Sequence, residues 1–216
     1  MTILDTFLNT LNQDELTLYR SLDTPAAVQA FLDETVYSAD HFYRCPLRVL
    51  RERTANCLDG AFFAAACLRQ VGCPPLVVDL LPEPGTDDDH LICVYKRHGL
   101  WGAVAKSNFA GLRYREPIYR TVRELVLSYF EQYFNVAGMK TLRAYTRPVS
   151  LTRWDFAGWM YRDEGMDVIE QALYSVRQVP LFSPEVIAGF IEVDPRTLKA
   201  GLDGANEEGL FKVPLT

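Results

Sequence analysis

Hydrophobic positions recur at helical spacing through the first third of the chain. The tripeptide Asp23-Thr24-Pro25 predicts an N-cap and a first-turn proline for a helix that runs to Tyr37. A short helix over 46–50 and a longer, alanine-rich helix over 57–72 follow. A glycine and two prolines end the longer helix.

The pattern then changes to that of strands. Residues 76–81 form an apolar run typical of a buried strand, and 90–95 and 100–105 predict two further strands joined by a turn. A long helix is expected over 116–135, because apolar residues recur there on one face. The stretch 143–151 contains a proline and is predicted to be an edge strand.

Helical patterns return after residue 153. The order of elements predicts an α+β fold with an antiparallel sheet, in a first domain over 1–152. A helical extension is predicted over 153–216, with two N-cap and proline pairs at Ser183-Pro184 and Asp194-Pro195 that resemble a helix-turn-helix.

Charge argues against nucleic acid as the main partner. The 216 residues include 22 lysines and arginines against 28 aspartates and glutamates, a net charge of −6. Residues 181–216 hold three basic and six acidic side chains, a net charge of −3 where the helix-turn-helix pattern lies. DNA-binding elements are usually basic, so this pair is expected to pack on the core or on a partner. A nucleic-acid-binding regulator is the third-ranked interpretation.

The start of the chain and its cysteines bear on compartment and cofactors. Residues 1–5 lack the basic stretch and apolar core of a signal peptide, and no apolar run approaches the ~20 residues of a membrane span. We therefore expect a cytoplasmic chain without a membrane partner. The five cysteines show neither zinc-ligand spacing nor an even count, so we interpret them as free thiols.

One cysteine and one histidine stand out as candidates for chemistry. Cys57 begins the alanine-rich helix, where the positive end of the helix dipole favours a thiolate. His90 begins a strand of the following hairpin, from which an imidazole can reach a helix N-terminus packed across the sheet. An imidazole that takes the thiol proton turns the cysteine into a nucleophile.

These residues lie in a pattern that resembles the transglutaminase-like cysteine enzymes. That family has a Gly-x-Cys-x-Asp-x-Ala start followed by Leu-Arg-x-x-Gly-x-Pro, and this chain reads ANCLDGA at 55–61 and LRQVGCPP at 68–75. A strand led by His90 and a strand that contains Trp101 follow in the family's order. The resemblance covers residues 24–105, with Ala55 in place of the first glycine.

The resemblance implies a papain-like fold, with Cys57 as nucleophile and His90 as general base and later general acid. The family usually has an aspartate four residues after the tryptophan to orient the histidine, and this chain has Ala105 there. Asn108 is then the first candidate for the orienting residue, as in a Cys-His-Asn site, and Ser107 is the second.

The function that follows is acyl transfer through a thioester on Cys57, with a peptide or an amide as substrate and a protein as one such substrate. Water as acceptor gives hydrolysis or deamidation and an amine gives transamidation, with no metal or organic cofactor implied. The alternative is a catalytically impaired domain that acts as a binding or scaffold protein, which Ala105 favours.

Three further features admit two interpretations each. Trp101 borders the substrate or packs within the hairpin, and Asp59 belongs to the site or offsets the charge at the helix start. Residues 87–89, three consecutive aspartates, are interpreted as a solvated loop rather than a metal site, because successive strand residues point to opposite faces.

Overall fold

A seven-stranded antiparallel sheet divides the protein into two layers. The structure is a computed structural model that describes residues 1–212. A central path of six strands runs in the order β6-β5-β4-β3-β7-β9, β8 pairs with β3, and β1 and β2 form a separate parallel pair. The strands are β1 Val36–Tyr37, β2 Thr54–Ala55, β3 Leu76–Pro82, β4 His90–Arg97, β5 Leu100–Val104, β6 Arg115–Tyr119, β7 Leu142–Thr146, β8 Val149–Ser150 and β9 Gln178–Pro180.

Helices cover both faces of this sheet. They are α1 Ile3–Thr10, α2 Gln13–Ser21, α3 Pro25–Asp33, α4 Pro46–Glu52, α5 Cys57–Gln70, α6 Val122–Leu127, α7 Glu164–Leu173, α8 Pro184–Ile187 and α9 Pro195–Gly201. Within residues 1–212, none of these helices is both long and apolar enough to span a bilayer. The combination of helices with an antiparallel sheet confirms the predicted α+β class.

Helix α5 lies in the middle of one layer and is buried along most of its length. Its small side chains allow close packing against α3, α4 and the sheet. Leu91 and Cys93 of β4 face α5, whereas Ile92 and Val94 face the opposite layer beneath α6. Both faces of β4 are therefore apolar, and the alternation along the strand decides which side chains reach α5.

Several predicted elements are confirmed and one is wrong. Thr24 caps α3 with Pro25 in its first turn, although α3 ends at Asp33 rather than Tyr37. The predicted helix over 116–135 is instead β6, the short α6 and a 3₁₀ turn. Pro117 lacks an amide donor and lies in the strand β6, and Thr121 then starts α6 by accepting from the amide of residue 124.

The last third of the chain also departs from the prediction. The predicted edge strand over 143–151 is divided into β7 and β8, with Pro148 between them. β7 is an inner strand, because it pairs with β3 on one side and with β9 on the other. Because β9 completes the sheet and Trp159 lies fully buried in the α5 layer, residues 153–212 are not a purely helical extension. Helices α8 and α9 begin at the predicted prolines, and α8 has a single turn of four residues.

Candidate functional site

Cys57 lies at the first position of α5, where local hydrogen bonds fix the start of the helix. The Asn56 side chain accepts from the amide of Asp59, and the Asp59 carboxylate accepts from the amide of Asn56. Cys57 is half-buried and faces a cleft of about 420 Å³. The start of β4 and residues 208–211 line the same cleft.

The surroundings of the Cys57 thiol favour its neutral form. Its Sγ lies 3.9 Å from the main-chain oxygen of Asp89, an acceptor for a weak S–H donor. Burial, followed by the negative charges of Asp89 and Asp79, raises the thiol pKa, and the amide of Leu91 offsets only part of this. The helix start alone does not produce a thiolate here.

His90 lines the same cleft as Cys57, but no hydrogen bond joins its ring to the thiol among the described residues. It shares a face of the sheet with Leu80, its partner across the strand pair, and that face is opposite the one that packs on α5. Its Nε2 lies 2.8 Å from the Leu112 carbonyl oxygen and therefore donates to it, and the ring packs edge-on against Tyr129 and Tyr133. Burial lowers the His90 pKa to about 4, so the ring is neutral at pH 7.

Asn108 is not the orienting partner of His90. Its Nδ2 donates to the main-chain oxygen of Asn206 at 2.8 Å, and its Oδ1 accepts from the Asn206 amide at 2.7 Å. The Leu112 carbonyl holds His90 instead. Ser107, the second candidate, accepts from the amide of Phe109 through its hydroxyl.

Trp101 and Asp59 have structural partners. The Trp101 indole lies beneath the Lys96 ammonium, 4.5 Å from its ring centre, and among the described residues it is not part of the cleft lining. Asp59 is fully buried and accepts from the amides of Arg44 and Asn56. Burial raises the Asp59 pKa to about 7, while these donors and the Arg44 guanidinium at 3.9 Å stabilise its ionised form.

Comparisons with known proteins give only a distant likeness. No protein-family model matches the sequence, and no curated protein is similar to it. Two solved structures of Legionella pneumophila LapG, one of them EGTA-treated, align with TM-scores of 0.36 and 0.35 at 14% identity. They cover 49% and 50% of this chain and 73% and 70% of LapG. At these TM-scores and this identity, the likeness decides neither the family nor the function of the chain.

The cleft contains a residue that the sequence patterns did not single out. Asp79 points from the middle of β3 into the cleft beside Cys57, 7% exposed, and its Oδ1 has no hydrogen-bond partner within residues 1–212. Residues 87–89 line the cleft as well, and Asp88 and Asp89 are exposed to solvent there, as expected of a solvated loop. In the part of the chain described here, no three His, Cys, Asp or Glu side chains are arranged to hold a metal ion.

The contact between Asn108 and Asn206 holds the C-terminal segment 206–211 against the cleft. We expect Asn108→Ala to speed iodoacetamide labelling of Cys57 by about 5- to 30-fold, because two hydrogen bonds of about 1 kcal/mol each are lost and the segment opens more often. Peptide mass spectrometry measures the rate, with Asn9→Ala as the control. A slower rate in Asn108→Ala would instead support a role for Asn108 in activating the thiol.

Proposed function

We propose that this chain is a binding protein that keeps the framework of a transglutaminase-like cysteine enzyme without a working Cys-His pair. The observation that carries the proposal is the neighbourhood of Cys57. Two aspartates raise the pKa of the thiol, and the expected base, His90, is hydrogen-bonded to Leu112 rather than to Cys57. A protonated thiol is a poor nucleophile, so the cleft serves to hold a ligand rather than to form a thioester.

The state of His90 supports this proposal. A general base needs to lie within hydrogen-bond reach of the proton that it removes. His90 donates Nε2–H to Leu112 and packs against two tyrosine rings, and these contacts fix the orientation of the imidazole. In the family pattern an aspartate orients the imidazole, and this chain has Ala105 at that position. This difference fits the same interpretation.

Cysteine-dependent acyl transfer is the second candidate, and one observation favours it. Cys57 opens a 14-residue helix and borders the cleft together with His90. Main-chain amides at the start of a helix can stabilise an oxyanion. This candidate requires Nδ1 of His90, the nitrogen that does not bond Leu112, to reach the thiol, and it places peptide or amide substrates in the cleft.

Thiol reactivity separates the two candidates. For a binding protein, the rate of iodoacetamide labelling of Cys57 rises about tenfold per pH unit from pH 6 to pH 9, because only the rare thiolate reacts. Cys73, a half-buried thiol whose pKa is also raised by burial, provides the internal control. The acyl-transfer candidate would be established instead if, at pH 6.5, Cys57 were labelled at least tenfold faster than Cys73 and this difference in rate disappeared in His90→Ala.

A further inference from the structure

The cleft beside Cys57 carries an excess of negative charge. Seven of its lining residues are aspartate or glutamate, and in the described chain neither lysine nor arginine contributes to the lining. Its basic side chains are His41 and the neutral His90. Asp40 forms an ion pair with Arg44, which also binds Glu52 on its other side. Six cleft carboxylates remain outside the ion pairs of residues 1–212: Asp79, Asp87, Asp88, Asp89, Glu170 and Glu208.

The carboxylate of Asp79 faces the cleft rather than bulk water. It is more than nine-tenths buried in an inner strand, and its Oδ1 lacks a donor among the described residues. A buried carboxylate without a donor costs free energy unless a partner supplies a hydrogen bond and a positive charge. Asp89 adds a second negative charge beside Asp79, and Cys57 brings no positive charge.

We propose that the cleft binds a small organic cation whose ammonium or guanidinium group is held by Asp79 and Asp89. The inference rests on the binding function proposed above and names its class of ligand. An organic cation brings several N–H donors together with its charge, which is what the free Oδ1 of Asp79 requires.

The size and composition of the cleft favour an organic ligand. A volume of about 420 Å³ lies within the range of small-molecule sites and far exceeds the space of a bare ion. Tyr43 and Tyr174 line the cleft, and the face of a tyrosine ring attracts a cation. The carboxylates come from β3, the loop before β4, α7 and the C-terminal segment, so they fit a ligand whose positive groups are separated by a carbon chain.

Agmatine is a suitable probe, because it carries a guanidinium at one end and an ammonium at the other. We expect isothermal titration calorimetry at pH 7.5 to show agmatine binding that is at least tenfold weaker in Asp79→Asn than in the wild-type chain. Asn keeps the shape of Asp and removes its charge. The matched control, Asp14→Asn, removes an exposed charge on α2 and is expected to bind agmatine within twofold of wild type. Circular dichroism confirms that each variant is folded.

Further ligands distinguish the sources of the cation. Tighter binding of acetyl-Gly-Arg-Gly-amide than of agmatine supports the proposal with a protein side chain as the ligand, and the reverse order supports it with a free amine. Equal affinity of wild type and Asp79→Asn for agmatine overturns the proposal. So does binding of the uncharged 1,5-pentanediol as tightly as agmatine, or binding of Ca²⁺ without any binding of agmatine.

The fate of Cys57 in the same samples separates this inference from the proposed function. If agmatine binds and an acyl group is found on Cys57 in the presence of a peptide amide, the cleft recognises a cation but the chain is an enzyme. If agmatine does not bind and Cys57 labels only as its thiolate forms with rising pH, the inference fails while the non-catalytic binding function stands.

Discussion

Asp59→Ala is expected to lower the free energy of unfolding by about 3–5 kcal/mol, the usual loss when one partner of a buried charged pair is removed. The carboxylate is fully buried and accepts from the main-chain amides of Arg44 and Asn56. Its loss leaves both amides without that acceptor and removes one of the carboxylates around the Arg44 guanidinium, which is itself buried. For a chain of this size, the expected fall in Tm is roughly 10 °C.

A control for this prediction exists at the other end of the chain. Asp5 occupies the same third position of a helix and forms the same reciprocal bonds with its N-cap, Thr2, but on the exposed surface of α1. Asp5→Ala therefore removes a capping box without uncovering a buried charge, and it should lower Tm far less. Urea unfolding monitored by circular dichroism measures both variants. Equal losses would show that Asp59 acts only as a helix cap and not through Arg44.

The sequence was sufficient to locate the elements of the site because local signals specify them. An asparagine cap with an aspartate three residues later marks the start of α5, and apolar runs bounded by glycine and proline mark β3, β4 and β5. These signals involve residues close in the chain. They place Cys57 at a helix start and His90 at a strand start, which the structure confirms as positions in the fold.

The direction of His90 could not be predicted in the same way. Residues 90–95 are buried on both faces of β4, so their hydrophobicity gives no alternation from which to decide which side chains meet α5. A shift of one residue along the strand would send His90 to the other layer. The deciding observation is its pairing with Leu80 across the β3–β4 ladder, which only the sheet supplies.

The partners of Asn108 and the role of Asp79 depend on distant parts of the chain. Asn206 lies 98 residues beyond Asn108, and no local pattern announces that contact. Asp79, in contrast, left a signal in the sequence: a single carboxylate within the apolar run LVVDLL at 76–81. A charged residue in a buried strand is rarely without a partner or a function.

Asp79→Asn is expected to stabilise the fold, and the gain should grow with pH. Burial and the charge of Asp89 raise the Asp79 pKa well above its usual value of 3.8. Below about pH 4 the carboxyl is protonated in both the folded and the unfolded chain, so the variant and the wild type should have similar stability. As the pH rises through the folded-state pKa, the wild type loses the stability that comes from holding this proton, while the amide of the variant has no proton to lose.

Unfolding by urea at intervals from pH 4 to pH 8 tests this sign, with Asp14→Asn as the exposed control on α2. The difference between Asp79→Asn and wild type isolates Asp79, because groups such as His90, whose lowered pKa changes stability in the opposite direction, are common to both proteins. We expect the difference to reach about 1–3 kcal/mol in favour of the variant, the usual penalty of a buried polar group without a partner. A variant less stable than wild type at pH 8 would mean that Asp79 has a donor within the folded chain, and the cleft would then lack its free carboxylate. If the stability gain of Asp79→Asn vanishes when agmatine is added to both proteins, the free-energy cost of the unpartnered carboxylate is linked directly to the cation that we propose the cleft binds.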